Sequence, residues 1–156
     1  MSTHKSDRPD AIDLLIDDHK RIKKLFKEFD KAAKKDDRIG KVEIALQLCE
    51  ELTAHAAVEE DLFYPAMRAV FADDHLLNEA EVEHDSAHEL IAQILTMNGD
   101  EALYDAKVAV LREHIERHVA EEENQILPKA RKSKLDLHKL ATAMQERRLE
   151  MTVELV

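Results

Sequence analysis

The sequence predicts an all-α protein, an up-down-up-down four-helix bundle with an extra C-terminal helix. Three observations predict it. Two Gly and three Pro in 156 residues cannot supply the turns that a sheet protein needs about every 8–12 residues. Ala, Leu, Glu and Lys, all good helix formers, dominate the rest. Apolar residues recur at steps of three and four over four long stretches with short polar breaks between them, and short connections make long helices antiparallel neighbours.

Residues 1–9 are polar, end in Pro9 and are expected to be a flexible lead-in. The first helix starts at Asp10 or Ala11 and runs to about Lys35. Its stripe is Ile12, Leu15, Ile16, Ile22, Phe26 and Phe29, and His19 fills the one gap. After the polar break Lys34–Asp37, the second helix runs into the low seventies with the stripe Ala45, Leu48, Leu52, His55, Glu59 and Phe63. Pro65 removes a hydrogen bond and is expected to kink it. Asp73–His75 reads as a turn. The third helix spans about Leu77–Met97, with Leu77, Glu81, His84, His88, Ile91 and Leu95 in unbroken steps of four and three. Asn98-Gly99 ends it. The fourth, about Glu101–Ala130, presents Val108, Leu111, Ile115, His118, Glu122 and Ile126.

A basic break at Lys129–Lys134 precedes the fifth helix, about Leu135–Leu155, with Ser133 as the expected N-cap. Its apolar side is Leu137, Leu140, Ala141, Met144 and Leu149, predicted to lie on the bundle or to form a homodimer contact. The organisation is thus a lead-in (1–9), a bundle (10–132) and a C-terminal helix (133–156).

The bundle is duplicated. His55–Pro65 and His118–Pro128 both read His-x-x-x-Glu-Glu, four residues, then Pro. His and Glu four apart share one helix face. His19 and His84 hold matching places in the first helix of each half, each behind a carboxylate, Asp18 or Glu83. Four helices therefore each put a His on the core stripe, and two add a Glu. Such groups are costly to bury without partners, and metal cations resolve the conflict.

A mixed His/Glu set without thiolate fits two iron ions. Two six-coordinate ions need about twelve positions. Glu59 and Glu122 as bridges, an oxo or hydroxo bridge, and the imidazoles of His19, His55, His84, His88 and His118 leave about one open for a small ligand. Without His88, two are open.

The other candidates read as supporting or surface groups. His114 and Glu51, each four before a site His, are expected outside the ligand set. Glu60 and Glu123 are expected to be solvated; Tyr64 is within reach of the site, with packing on Pro65 the favoured role. His4, His75 and His138, and the lysines at Lys20–Lys24 and Lys129–Lys134, read as surface. A ferritin-like site needs Glu-x-x-His on two helices, and only Glu81/His84 matches. There is no His-Glu-x-x-His motif and no Gly-rich phosphate loop. A net charge of -11 disfavours nucleic acid and anionic membranes. No apolar run reaches membrane-spanning length, the N-terminus lacks a signal-peptide core, and Cys49 stands alone. The expected home is the cytoplasm.

The ordered set His19, His55-x3-Glu59, His84, His118-x3-Glu122, with the phrases Leu15–His19 and Glu59–Pro65, resembles the haemerythrin-like HHE cation-binding family over residues 10 to about 130. The resemblance implies a non-haem di-iron centre bridged by Glu59 and Glu122 that binds or senses O2 or NO. His84-x3-His88 resembles the two-His helix of the oxygen carriers. His118-x3-Glu122 departs from those carriers, which have a wider spacing and an Asp there. Small-ligand binding, a redox enzyme such as a peroxide-decomposing one, and iron storage or donation are the functions left open.

Overall fold

The computed structural model describes residues 8–72 and 74–155. The expected lead-in lies mostly outside the described residues. Helix α1 spans Ala11–Lys34 and α2 spans Arg38–Val58. The second rod continues through a π-helical turn, Glu59–Phe63, into α3, Tyr64–Val70. Helix α4 is His75–Leu95. Helix α5, Tyr104–Glu121, continues through a second π turn, Glu122–Ile126, into α6, Leu127–Arg131. Helix α7 is Leu137–Leu155. The predicted class and order hold: four rods form the bundle and a fifth packs on it.

Local chemistry sets the boundaries. Asp10 and Asp13 form a reciprocal capping box, each carboxylate accepting from the other's backbone N–H at 2.9 and 3.0 Å. Asp36, with φ 54°, turns the chain between α1 and α2, a left-handed conformation that Asp tolerates. Asp74 caps α4 by accepting from Leu76 N–H at 2.8 Å, so α4 starts two residues before the expected Leu77. Gly99 has φ 98°, and a Cβ there would collide with Val42. The Glu101 carboxylate accepts from the N–H groups of Asn98 and Gly99 at 2.8 and 2.9 Å. It is spent on the turn, and α5 starts at Tyr104 rather than Glu101. Ser133 is not the cap of α7, because its hydroxyl donates back to Ala130 C=O at 2.6 Å. Asp136 does that work, accepting from Lys139 N–H at 3.0 Å.

Pro65 does not simply kink its helix. The irregularity sits before it, where Tyr64 N–H reaches five residues back to Glu59 C=O. Leu127 N–H makes the same bond to Glu122 C=O ahead of Pro128. The extra residue per turn brings two consecutive side chains inward. Phe63 and Tyr64 are both buried, as are Ile126 and Leu127.

The core is two apolar clusters with a polar layer between them. Leu15, Phe63, Met67, Leu77 and Ile126 anchor one cluster; Ile22, Phe26, Leu48, Ile91 and Leu111 anchor the other. His19 lies between Leu15 and Ile22 on α1 and so marks the layer. Helix α7 buries Ala141 and Met144, and Leu137 and Leu140 pack on the first cluster. Its neighbours are α1, α2 and the first π turn. Leu149, expected on this apolar side, is instead 68% exposed. Among the described residues, no helix is long and apolar enough to cross a membrane.

Candidate metal centre

His19 of α1, His55 of α2, His84 of α4 and His118 of α5 meet Glu59 and Glu122 in the polar layer, and all six are buried. Both carboxylates begin a π turn. The rings pair with approximate twofold symmetry. His19 and His55 stand edge to face with centroids 5.0 Å apart, and so do His84 and His118. Every Nε2 faces the carboxylates. His19 is 3.1 Å from Glu122 Oε1 and His84 is 3.1 Å from Glu59 Oε1. His55 is 3.4 Å from Glu59 Oε1, and His118 is 3.4 Å from Glu122 Oε2.

The outward nitrogens carry a second duplicated pattern. His55 Nδ1 meets Asp18 Oδ2 at 2.8 Å, and His118 Nδ1 meets Glu83 Oε1 at 2.8 Å. His19 Nδ1 meets Glu123 Oε2 at 2.6 Å, and His84 Nδ1 meets Glu60 Oε2 at 2.7 Å. An ionised carboxylate only accepts, so each Nδ1 is the donor. The neutral tautomer then leaves every Nε2 lone pair aimed inward, the arrangement that orients imidazoles on a metal.

Electrostatics make the same point. Burial alone would lower the pKa of His19, but bonds to Glu122 and Glu123 and the charge of Glu59 raise it to about 9. Burial likewise opposes Glu59 and Glu60 at His84, which also rises to about 9. His118 is raised well above its ordinary value by Glu122, Glu59 and Glu83, against burial. Glu122 lies well below the usual carboxylate range; burial opposes this, and its bonds to Glu59, His118 and His19 override burial. Without a cation, protons neutralise the layer. Yet His19 Nε2, His55 Nε2, Glu59 Oε2 and Glu122 Oε1 are buried without a well-aligned hydrogen bond, although His19 Nε2 and Glu122 Oε1 lie 3.1 Å apart. Orphaned donors of imidazole and carboxylate type fit a divalent or trivalent cation. Among the described residues, two fully buried groups converge, His19/His55/Glu59/Glu122 and Glu59/His84/His118, with Glu59 in both.

The family model for the hemerythrin HHE cation binding domain matches residues 10–130. This chain belongs to the hemerythrin HHE cation binding domain family. A crystal structure of an HHE cation binding domain-containing protein from Mycobacterium kansasii shares the fold. Its TM-score is 0.71 at 24% identity, covering 92% of this chain and 87% of that one. No curated protein matches.

Within this HHE domain, six of the seven expected ligands converge. His88 differs. Its side chain is 39% exposed, and its Nε2 lies 2.8 Å from Glu60 Oε2, which His84 also engages. It joins Glu60 and His84 in a third, outer group. Glu81, three residues before His84, instead bonds Arg68 at 3.1 Å. His114 borders the cavity below and stands outside the donor groups, and Glu51 bonds Arg148.

Three expectations are corrected. Glu60 and Glu123 are not merely solvated, because they hold His84 and His19. Tyr64 does more than pack on Pro65. Its hydroxyl donates to Glu122 Oε2 at 2.5 Å and lies 3.3 Å from Glu59 Oε1 and 3.2 Å from His118 Nε2. Burial and both carboxylates push its pKa well above the ordinary value, so the phenol keeps its proton.

A cavity of about 30 Å³ adjoins the centre, bounded by the four site histidines and by Ile22, Leu52, Ile91 and Ile115. It has room for one or two water-sized molecules.

Proposed function

We propose that this HHE domain holds two iron ions and binds O2 or a related diatomic such as NO beside them. His19, His55, Glu59 and Glu122 would hold one ion, and Glu59, His84 and His118 the other. The observation that carries the reading is the pair of donor groups sharing Glu59 beside a small, apolar-walled cavity. Bound iron supplies reversible redox chemistry and open coordination positions. The chain supplies the rest. The Nδ1 carboxylates fix the direction of each Nε2, and Ile22, Leu52, Ile91 and Ile115 limit water.

Iron analysis and optical spectra taken with and without O2 test the proposal. Two irons per chain and a reversible O2-dependent band are expected. One iron, or a spectrum indifferent to O2, overturns it. A reducing cytoplasm suits Fe2+, and Cys49 is compatible with it: the thiol is buried, and burial pushes its pKa up to about 11.

One observation favours a second reading, peroxide decomposition, in which two H2O2 give two H2O and one O2. The Tyr64 hydroxyl holds a proton among the donors, where a departing oxygen needs one. O2 evolution from peroxide, reduced in Tyr64→Phe while iron content is retained, would select this reading over passive binding.

A further inference from the structure

The two repeats differ where α7 packs. Arg148 of α7 donates from Nη1 to both Asp18 oxygens at 3.0 Å and from Nη2 to Glu51. Asp18 in turn holds His55. The neighbouring Arg147 donates to Asp61 at 3.1 Å, inside the π turn that starts at Glu59. Arg21 adds a bond to Asp18. The sequence of the second repeat offers no such set. Two residues after Glu122 stands Asn124 in place of Asp61, four before His118 stands His114 in place of Glu51, and two after His84 stands Ser86 in place of Arg21. Glu83, the counterpart of Asp18, bonds His118 of its own half and feels the charge of Arg117 of α5 rather than an arginine bond from α7.

We propose that α7 is a positioning element for one half of the metal centre: Arg148 orients His55 through Asp18, and Arg147 steadies the Glu59 turn through Asp61. One guanidinium nitrogen spans both Asp18 oxygens while the other is held by Glu51, so the planar group is anchored at two points and limits the rotation of Asp18. Asp18 is only 7% exposed, so its orientation passes directly to the His55 ring. Through Asp18 and His55, Arg148 acts on the ion held by His19 and His55 alone, whereas the Arg147 arm reaches Glu59, which serves both donor groups. The inference rests on the two-ion reading above.

Chelator-driven iron release from the full-length loaded protein tests it. Arg148→Gln is expected to speed the release of one ion about tenfold, the lower end for residues behind a metal ligand, and to leave the other unchanged. Arg148→Lys should recover part of the loss. In a His55→Gln background the effect should vanish, and in a His118→Gln background it should persist. Equal acceleration of both ions, or none, overturns the inference and leaves the di-iron reading intact. A wild-type chain that holds fewer than two ions overturns both. Circular dichroism checks folding. Should Arg148→Gln fail to fold, Arg148→Lys carries the test, with a smaller acceleration of the same phase expected and no acceleration counting against the idea.

Discussion

The two repeats deliver the same donors from the same helical positions, and they differ in nearly everything around them. His19/His84, His55/His118 and Glu59/Glu122 are matched, and so are the Nδ1 carboxylates Glu123/Glu60 and Asp18/Glu83. Beyond that shell the halves part. Asp18 is 7% exposed and clamped by arginines, while Glu83 is 23% exposed. Tyr64, five residues after Glu59, has Leu127 as its counterpart. Duplication is retained where coordination geometry constrains it, and is lost where each half meets a different neighbour, α7 or solvent.

Removing the carboxylate common to both donor groups should break the comparison most. Glu59 belongs to both donor groups and Glu122 to one. Glu59→Ala is expected to lower iron from two per chain towards zero, and Glu122→Ala to spare more of it, since His84, His118 and Glu59 remain. Metal analysis after desalting reads this directly. Equal loss in both variants would mean that the halves act as a symmetric pair.

Proton linkage comes next. The folded, metal-free chain holds His19 and His84 at about 9, above the ordinary 6.5. The fold thus binds protons that the unfolded chain releases. That stabilisation is complete below about pH 6.5 and is lost as the pH rises through about 9, on the order of a few kcal/mol in all. The melting temperature of metal-free protein should fall across that window. Iron-loaded protein should change less, because the metal takes the place of the Nε2 protons. His19→Gln and His84→Gln should each remove a similar share of the fall, and unequal shares would locate an asymmetry in the inner layer.

A smaller contrast concerns the outer carboxylates. Asp18→Asn and Glu83→Gln should each weaken iron binding by about 10- to 100-fold. Asp18→Asn should be the worse of the two, since it also takes the Asp18 charge from Arg148 and Arg21 and leaves them to share Glu51. Competition with a chromophoric chelator measures both.

Much of this was legible in the sequence, for identifiable reasons. The helices follow from a period that repeats within each stretch, and the inner donors follow from polar residues that interrupt an apolar stripe twice over. Tyr64 was hidden because straight-helix arithmetic turns it away when Phe63 points in, and the π turn brings both inward. Glu60 and Glu123 were hidden because the periodicity of one helix shows that a residue leaves its own stripe, not which neighbouring ring it meets. A signal was nevertheless present. Each is the second Glu of a duplicated Glu-Glu pair, and a merely solvated residue gives no reason for that repetition. The bond from Arg148 to Asp18 joins residues at opposite ends of the chain, beyond the reach of any local pattern.

The smallest expected effect separates the outer group from the inner one. His88 and Lys23 each lie four residues after a site His on their helices, and His88 engages Glu60. The His88–Glu60 pair is partly exposed, with side-chain exposures of 39% and 38%, and pairs open to solvent contribute about 0–1 kcal/mol. Glu60 keeps its bond to His84 when His88 is removed. His88→Ala should therefore leave two irons per chain and change their affinity by less than about tenfold. If His88 were instead a fifth imidazole ligand, the same substitution would take a donor from one ion. Iron content and the optical spectrum would then change together, as they should for His84→Ala. Measuring both variants side by side decides whether helix α4 contributes one imidazole to the centre or two.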